Sequence, residues 1–378
     1  MQGKKRILLI GPFNEYGGRE IEASFIYDAL KDSYNITIAS TEILSNNNMI
    51  FKLSRSKRIF SKIKRIGIKF RIIRFFFGDK VWFRLNNGVK FISFEDLIFE
   101  SDLVFILAQI ISPNILKIIR IAQNKQKKII FRTTGTNPVL NFNHFNSNKL
   151  DLFNNVDIYL HHSKDNYNRL NKTFAHSFEI IDQAVFLEQI INNPKPIHEI
   201  KNFYCTSRID ANKNLELVVR AFNQLKNLNL NLHIYGDGDN LDFVKSISNS
   251  DKIFFYGHLD NHELLKRISN HDCLIISSFE ESGPYTALEA MVNAKIILST
   301  RVGAMNERLE GAPYCWEFNP NSEDSLVSRI LDLRKYKEEK LSLIQGYMIN
   351  RYKHNYSSEE IKNKYIAVVE KVLNSKVS

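Results

Sequence analysis

The sequence predicts an α/β protein with two domains, each built on a parallel β-sheet with helices on both faces. Short apolar strand patterns alternate with amphipathic helix patterns in two consecutive series, which is typical of parallel sheets. A polar stretch with two prolines, residues 192–196, separates the two series and has the composition of a linker. The length of 378 residues also suits two domains, because domains usually span about 100–200 residues.

The first series opens with a buried strand at 6–11, the pair Gly17-Gly18 and a helix at 19–30. Later strands of this series are predicted at 35–39, 103–107, 128–131, 157–160 and 179–181. The second series predicts strands at 203–205, 231–235, 252–256, 273–277 and 295–298, and helices at 213–226, 240–248, 261–269, 285–293 and 323–335. A last amphipathic helix is expected at 358–373. Such sheets bind ligands beyond the carboxyl ends of their strands, so we expect the site in the cleft between the two domains.

Composition excludes several classes of protein. A hydrophobic fraction of 44%, with 27 Phe and 15 Tyr, is too high for a disordered or fibrous chain. The three cysteines are too widely spaced for a disulfide framework or a CxxC metal site, which indicates a reducing compartment. The apolar run after Met1 is too short for a signal peptide, and the uncharged, largely apolar stretch 103–116 is shorter than the roughly 20 residues of a membrane span. We therefore expect a cytoplasmic protein that is soluble or peripheral to a membrane.

The net charge of +11 comes almost entirely from one segment, because residues outside 52–74 carry 42 basic and 41 acidic side chains. The segment holds ten cations and no acid, and Ile and Phe recur in it at helical spacing. A basic amphipathic helix over 52–77 would suit the anionic inner face of a cell membrane. One alternative is a core-facing helix whose basic face is solvated. Another is a contact to the phosphates of a nucleic acid, although we expect no nucleic-acid partner. The predicted membrane contacts are Lys57, Arg58, Lys62, Lys64, Arg65, Lys69, Arg71 and Arg74.

Four loops that follow strands of the second series carry residues suited to a sugar nucleotide. Two cations, Arg208 and Lys213, follow its first strand, and Lys213 is expected in the first turn of a helix, where a bound anion would offset the unfavourable macrodipole. The other three loops are Gly236-Asp237-Gly238, the stretch 279–284 before a helix with Glu289, and Arg301-Val302-Gly303-Ala304. Gly283 permits close backbone approach, and Pro284 suits a first helical position. Cations and N–H groups would bind a diphosphate, and carboxylates would bind hydroxyls.

Taken together, these motifs resemble the retaining, nucleotide-sugar-dependent glycosyltransferases of the two-Rossmann GT-B fold, with its two glutamates spaced by seven residues. Glu281 and Glu289 match those glutamates, and Arg208 and Lys213 match the family's Arg-x4-Lys pair. The turn 236–238, the segment Tyr256-Gly257-His258-Leu259, the glycine loop Gly17-Gly18 and the final helix from residue 356 match further family features. The resemblance implies an acceptor-binding domain over 1–190, a nucleotide-sugar-binding domain over 200–350, and a helix over 356–378 that crosses back to the first domain.

The resemblance also implies a role for each residue. Arg208 and Lys213 would hold the diphosphate and stabilise the leaving nucleotide, and Glu281 would contact the donor sugar. Glu289 would bind the ribose hydroxyls. Further donor contacts would come from Gly17, Gly18, Gly236, Gly257, His258, Leu259, Ser282, Gly283, Pro284, Tyr285, Thr286 and Gly303. The family transfers sugar with retention and needs no dedicated general base, and no metal or cofactor is expected.

Some positions depart from the family pattern. Thr134 stands where many members carry a histidine, and the interdomain segment is altered to Asp182-Gln183-Ala184-Val185. His161-His162 lack two further ligands for a metal site, and Asp237-Gly238-Asp239 matches the family's turn rather than a metal motif.

The sequence thus predicts transfer of a sugar, such as a hexose, to a membrane-associated acceptor, as in lipopolysaccharide, O-antigen or capsule synthesis. A sugar-nucleotide epimerase of the same architecture is one alternative. A non-catalytic protein that binds membrane or nucleic acid is another.

Overall fold

A computed structural model of the chain describes residues 3–13, 18–39, 80–85, 88–110, 115–135, 147–185 and 194–375. Two compact units are present: Met1–Ile181 with Lys362–Ser378, and Asp182–Ile361. The chain therefore passes between units at residues 181 and 182, before the predicted linker, and again at 361 and 362 within its last helix. The segment 52–77, with all eight predicted membrane contacts, lies outside the described residues, as does Gly17.

The described part of the first unit contains an eight-stranded sheet in the order β4-β3-β2-β1-β5-β6-β7-β8. Its strands are β1 (Arg6–Ile10), β2 (Asn35–Ala39), β3 (Lys80–Leu85), β4 (Gly88–Ser93), β5 (Leu103–Ala108), β6 (Lys128–Thr133), β7 (Ile158–His161) and β8 (Phe178–Ile180). Its helices are α1 (Gly18–Leu30), α2 (Phe94–Glu100), α3 (Ile115–Asn124), α4 (Ser147–Asn154) and α5 (Lys164–Asn171).

One edge of this sheet departs from the prediction of a parallel sheet. β1 pairs in parallel with β2 and β5, and parallel pairing continues through β8. β3, however, runs antiparallel to both β2 and β4. Only two residues separate β3 from β4, and so short a connection joins antiparallel strands only. The sheet is therefore mixed.

A buried ionic cluster links α1 to the centre of the first sheet. Glu22 lies on α1, and its Oε1 accepts a hydrogen bond of 2.6 Å from Nε of Arg132 on β6. Nε2 of His162 lies 3.1 Å from Oε2 of Glu22, and the Tyr365 hydroxyl lies 3.4 Å from Oε1. Arg132 and Glu22 are almost fully buried. Burial alone would raise the pKa of Glu22, but Arg132 and His162 hold it well below its usual range.

The two consecutive histidines at the end of β7 therefore have structural partners. Nδ1 of His161 lies 3.1 Å from Oγ1 of Thr133, and its Nε2 lies 2.9 Å from Nε2 of His176. Burial is the largest cause that lowers the pKa of His161 to about 2, so this imidazole is neutral. Within the described ranges, no group of three or more His, Cys, Asp or Glu side chains could hold a metal ion.

The second unit contains a five-stranded sheet in which every pairing is parallel, in the order β11-β10-β9-β12-β13. Its strands are β9 (Asn202–Thr206), β10 (Asn231–Tyr235), β11 (Ile253–Phe255), β12 (Cys273–Ile276) and β13 (Ile296–Ser299). Its helices are α6 (Leu215–Gln224), α7 (Leu241–Ser246), α8 (Asn261–Ile268), α9 (Tyr285–Val292), α10 (Met305–Arg308), α11 (Glu323–Arg334) and α12 (Glu338–Asn355), and a last helix, α13 (Ser358–Asn374), ends in the first unit. None of the helices in the described parts of the chain is long and apolar enough to cross a membrane.

Candidate functional site

The predicted site residues of the second unit gather at the carboxyl edge of its sheet. Because the five strands are parallel, the loops after β9, β10, β12 and β13 all leave from the same edge. These loops cover residues 207–214, 236–240, 277–284 and 300–304. Hydrogen bonds connect them directly, so they form one continuous surface.

Lys213 and Glu281 form an ion pair at this edge. Nζ of Lys213 donates to Oε1 of Glu281, and Oγ of Ser278 donates to the same oxygen at 2.8 Å. The Lys213 and Glu281 side chains keep 21% and 16% of their surface exposed, so a ligand can reach both of them. The pair places a cation beside a carboxylate, which is suitable for binding a phosphate next to a sugar hydroxyl.

The prediction that Lys213 lies in the first turn of an α-helix is wrong. Lys213 ends a short 3₁₀ turn (Ala211–Lys213) that Asp210 caps, with Oδ1 of Asp210 accepting from the Lys213 N–H at 3.2 Å. Asn214 then adopts a left-handed conformation with φ of 52°, and α6 begins only at Leu215. Glu281, rather than a helix end, is therefore the nearest electrostatic partner of this cation.

Asn212 joins the loop of Lys213 to the loop of Glu281. Its side-chain Nδ2 donates to the carbonyl of Glu280 at 2.9 Å, and its Oδ1 accepts from the Glu280 N–H at 3.1 Å. Its backbone carbonyl accepts from the N–H of Phe279 at 2.9 Å. Neither Asn212 nor Ser278 is predicted as a site residue from the sequence, because an Asn or Ser in a polar loop gives no signal until its partner is known.

Two glycine turns let the backbone segments approach closely. Gly236 has φ of 138°, and a Cβ on it would lie 1.9 Å from the carbonyl oxygen of Ser207. Gly303 has φ of 49°, and its Cβ would lie 2.3 Å from the carbonyl oxygen of Ser282 and 2.6 Å from that of Glu281. Any side chain at these positions would push the loops apart. The glycines predicted as donor contacts thus set the spacing of the site.

The loop 281–284 leads into the amino terminus of α9. Pro284 is the N-cap residue (φ −59°, ψ 113°) and not the first helical residue, which corrects the prediction. Its carbonyl accepts from the N–H of Ala287 at 3.1 Å. The first turn of α9, with Tyr285 and Thr286, brings the positive end of a helix dipole to the same edge as Lys213.

Glu289 is a buried carboxylic acid on α9. Its side chain is only 2% exposed and has no hydrogen-bond partner among the described residues. The hydroxyl of the fully buried Tyr204 also has none there. Burial raises the pKa of Glu289 to about 7. A buried, unpartnered carboxyl group with a raised pKa is typical of a functional site.

The other predicted donor-site residues lie on further loops of the second unit or, for Gly18, in the first unit. Arg208 is exposed on the loop after β9. Gly257, His258 and Leu259 follow β11, and the carbonyl of Gly257 accepts from the Gly236 N–H at 2.8 Å. Gly18 is the first residue of α1 in the other unit. The structure therefore brings Lys213 and Glu281 into contact and places 236, 257, 282–286 and 303 in adjoining loops.

Several known proteins resemble this chain, either in a family model or in fold. Residues 188–346 match the family model of glycosyl transferases group 1. Sucrose-phosphate synthase from Thermosynechococcus elongatus superposes with a TM-score of 0.69 at 13% identity, over 99% of this chain and 100% of that one. A glycosyltransferase from Rickettsia africae gives 0.72 at 16% identity over the same shares. Anabaena HepE, solved in complex with UDP and glucose, gives 0.67 at 13% identity over 97% and 100%. No curated protein sequence matches the chain significantly.

These likenesses confirm the predicted fold class, an α/β GT-B architecture with two Rossmann-like domains. The family likeness covers residues 188–346, which lie mostly in the second unit and match the model of glycosyl transferases group 1.

Proposed function

We propose that this protein is a retaining glycosyltransferase that transfers a sugar, such as a hexose, from a nucleotide-sugar donor bound at the carboxyl edge of the second sheet. The observation that carries the proposal is the Lys213–Glu281 pair beside the first turn of α9. Lys213, Arg208 and the helix N–H groups bind the donor diphosphate. Glu281 accepts hydrogen bonds from hydroxyls of the donor sugar. Glu289 accepts from the hydroxyls of the ribose.

In the reaction, the bond between the anomeric carbon and the leaving phosphate oxygen breaks. The acceptor oxygen forms its bond to that carbon on the same face, which retains the configuration. The acceptor proton passes to the leaving phosphate oxygen, so no separate general base is required. Lys213 stabilises the negative charge that develops on the nucleoside diphosphate, and with this cation the step is proposed to proceed without a metal ion.

A panel of nucleotide sugars tests the proposal without knowledge of the acceptor. UDP-, GDP- and ADP-linked hexoses are incubated with the full-length protein, and release of the nucleoside diphosphate and free sugar is measured. We expect slow hydrolysis of one donor class, with the released sugar first appearing in the anomeric configuration of the donor. A new sugar nucleotide formed from the donor alone would instead support an epimerase. The proposal would be overturned if the protein hydrolysed none of the nucleotide sugars and bound none of the nucleotides.

We propose further that the acceptor is a glycan or lipid-linked intermediate at the inner face of the cell membrane. The support comes from the sequence alone, in the ten cations of residues 52–74. We expect the protein to sediment with phosphatidylglycerol vesicles at low salt and to lose this binding when those cations are changed to Gln. A protein with ten cations changed elsewhere serves as the control for net charge. Equal binding by the native protein and the segment variant would contradict this part of the proposal.

The raised pKa of Glu289 leads us to expect that donor binding depends on pH. The ribose hydroxyls donate to the carboxylate, so the donor favours the ionised form, and the pKa of this group is about 7. Affinity should therefore rise about fivefold to tenfold between pH 6 and pH 8. The measurement is calorimetric titration with an intact nucleotide sugar, whose phosphates remain ionised over this range. Glu289→Gln should bind weakly at both pH values, and a native-like pH dependence in this variant would contradict the assignment.

A further inference from the structure

A buried arginine lies behind the first turn of α9. Arg308 is the last residue of α10, and its side chain is 0% exposed. Its Nη1 donates to the carbonyl oxygen of Pro284 at 2.5 Å. Its Nε and Nη2 donate to Oδ2 and Oδ1 of Asp182 at 2.8 and 2.6 Å. One planar guanidinium therefore joins two chain segments that lie about 100 residues apart in the sequence.

The carbonyl that Arg308 contacts is the N-cap carbonyl of α9. It also accepts the first helical hydrogen bond, from the N–H of Ala287 at 3.1 Å. A second bond, from the Ala304 N–H to the Ser282 carbonyl at 3.0 Å, holds the same loop. Arg308 thus fixes the position at which α9 begins, and with it the direction of the N–H groups of the first turn.

Asp182 makes burial of this cation possible. It is the first residue of the second unit, is only 7% exposed, and its Oδ1 also accepts from the Gln183 N–H at 2.8 Å. A buried guanidinium without a carboxylate partner would be strongly destabilising. The Asp182 carboxylate therefore offsets the cost of burying the positive charge through bonds from Nε and Nη2. The third guanidinium nitrogen, Nη1, remains available to donate to Pro284.

We propose that Arg308 is a positioning residue for the donor site: through the Pro284 carbonyl it holds the first turn of α9 in the orientation that receives the donor diphosphate. This inference rests on the proposed function for the ligand, but the position of the helix turn can be measured without any ligand. Lysine could not replace the arginine, since a single ammonium group cannot bond to Asp182 in bidentate fashion and reach Pro284 as well.

Two single variants separate positioning from stability. Arg308→Gln removes both contacts, because the shorter amide cannot span them. Asp182→Asn removes the counter-charge but leaves the bond from Arg308 to Pro284. Both should lower the melting temperature of the full-length protein. The double variant, which buries no charge, should recover most of that loss.

Two readouts decide the role of Arg308. Amide hydrogen exchange over residues 285–288, without ligand, should be about tenfold faster in Arg308→Gln and in the double variant, and within about twofold of native in Asp182→Asn. The second readout is affinity for whichever of UDP, GDP and ADP binds the native protein. This affinity should fall about tenfold in Arg308→Gln and in the double variant, and should stay near the native value in Asp182→Asn. Recovery of exchange and affinity together with melting temperature in the double variant would overturn the proposal. Binding of none of the three nucleotides by the native protein would count against the proposed function, and the exchange data would still decide the role of Arg308.

Discussion

Replacement of Lys213 by Ala should lower the turnover number of sugar transfer by about 10²–10³-fold. The cation lies beside Glu281 at the carboxyl edge of the sheet. In the proposed reaction, negative charge develops there on the leaving phosphate. Removal of one group aimed at a developing charge typically has an effect of this size. The measurement is donor turnover at saturating nucleotide sugar, or donor hydrolysis while the acceptor is unidentified.

The fold should tolerate this change. Lys213 is one-fifth exposed, and the Glu281 oxygen that it leaves keeps its bond from Ser278. A partly exposed ion pair contributes about 1 kcal/mol or less, so the melting temperature should fall by no more than about 2–4 °C. Lys226→Ala, at an exposed position after α6, is the matched control and should leave turnover unchanged. Turnover of Lys213→Ala within twofold of the control would show that this cation has no role in the reaction.

Replacement of Glu22 by Gln should destabilise the first unit by about 3–5 kcal/mol. The change leaves the fully buried Arg132 without its carboxylate, and an uncompensated buried charge has a cost of this order. Because the pKa of Glu22 is held well below its ordinary value, its contribution is complete at neutral pH and is lost progressively as the pH falls below about 4.5. The measurement is hydrogen exchange of the peptides that contain β1 and β6, compared with peptides of the second unit.

A double variant provides the control for this prediction. Glu22→Gln combined with Arg132→Met removes both charges and should recover most of the lost stability. The second unit should keep native exchange in both variants, because the cluster lies wholly within the first unit. Loss of less than about 1 kcal/mol in Glu22→Gln would mean that the buried cluster contributes little to folding.

The second sheet was predictable because its local and global signals agree. Each of its strands is a short run that is rich in apolar residues, and each predicted strand matches an observed one to within one residue at either end, as with 231–235 and β10. The hairpin of β3 and β4 was not predicted, since its residues include Lys, Arg and Gly and lack a continuous apolar run. The start of α6 was also missed, because the backbone angle φ is positive at Asn214, directly before the helix. A single left-handed residue leaves no mark on hydrophobic periodicity.

The fold class follows from the amino-acid sequence, and so do the residues whose chemistry suits a sugar nucleotide. Periodicity sets the order of strands and helices, and parallel strands necessarily place their following loops at one edge. Which of those residues come into contact is visible only in the folded protein. The contact of Lys213 with Glu281, the two bonds of Asn212 to Glu280, and the position of Arg308 behind Pro284 join loops that are far apart in the chain. Such contacts depend on how the loops pack in space, and neither spacing nor composition encodes that packing locally.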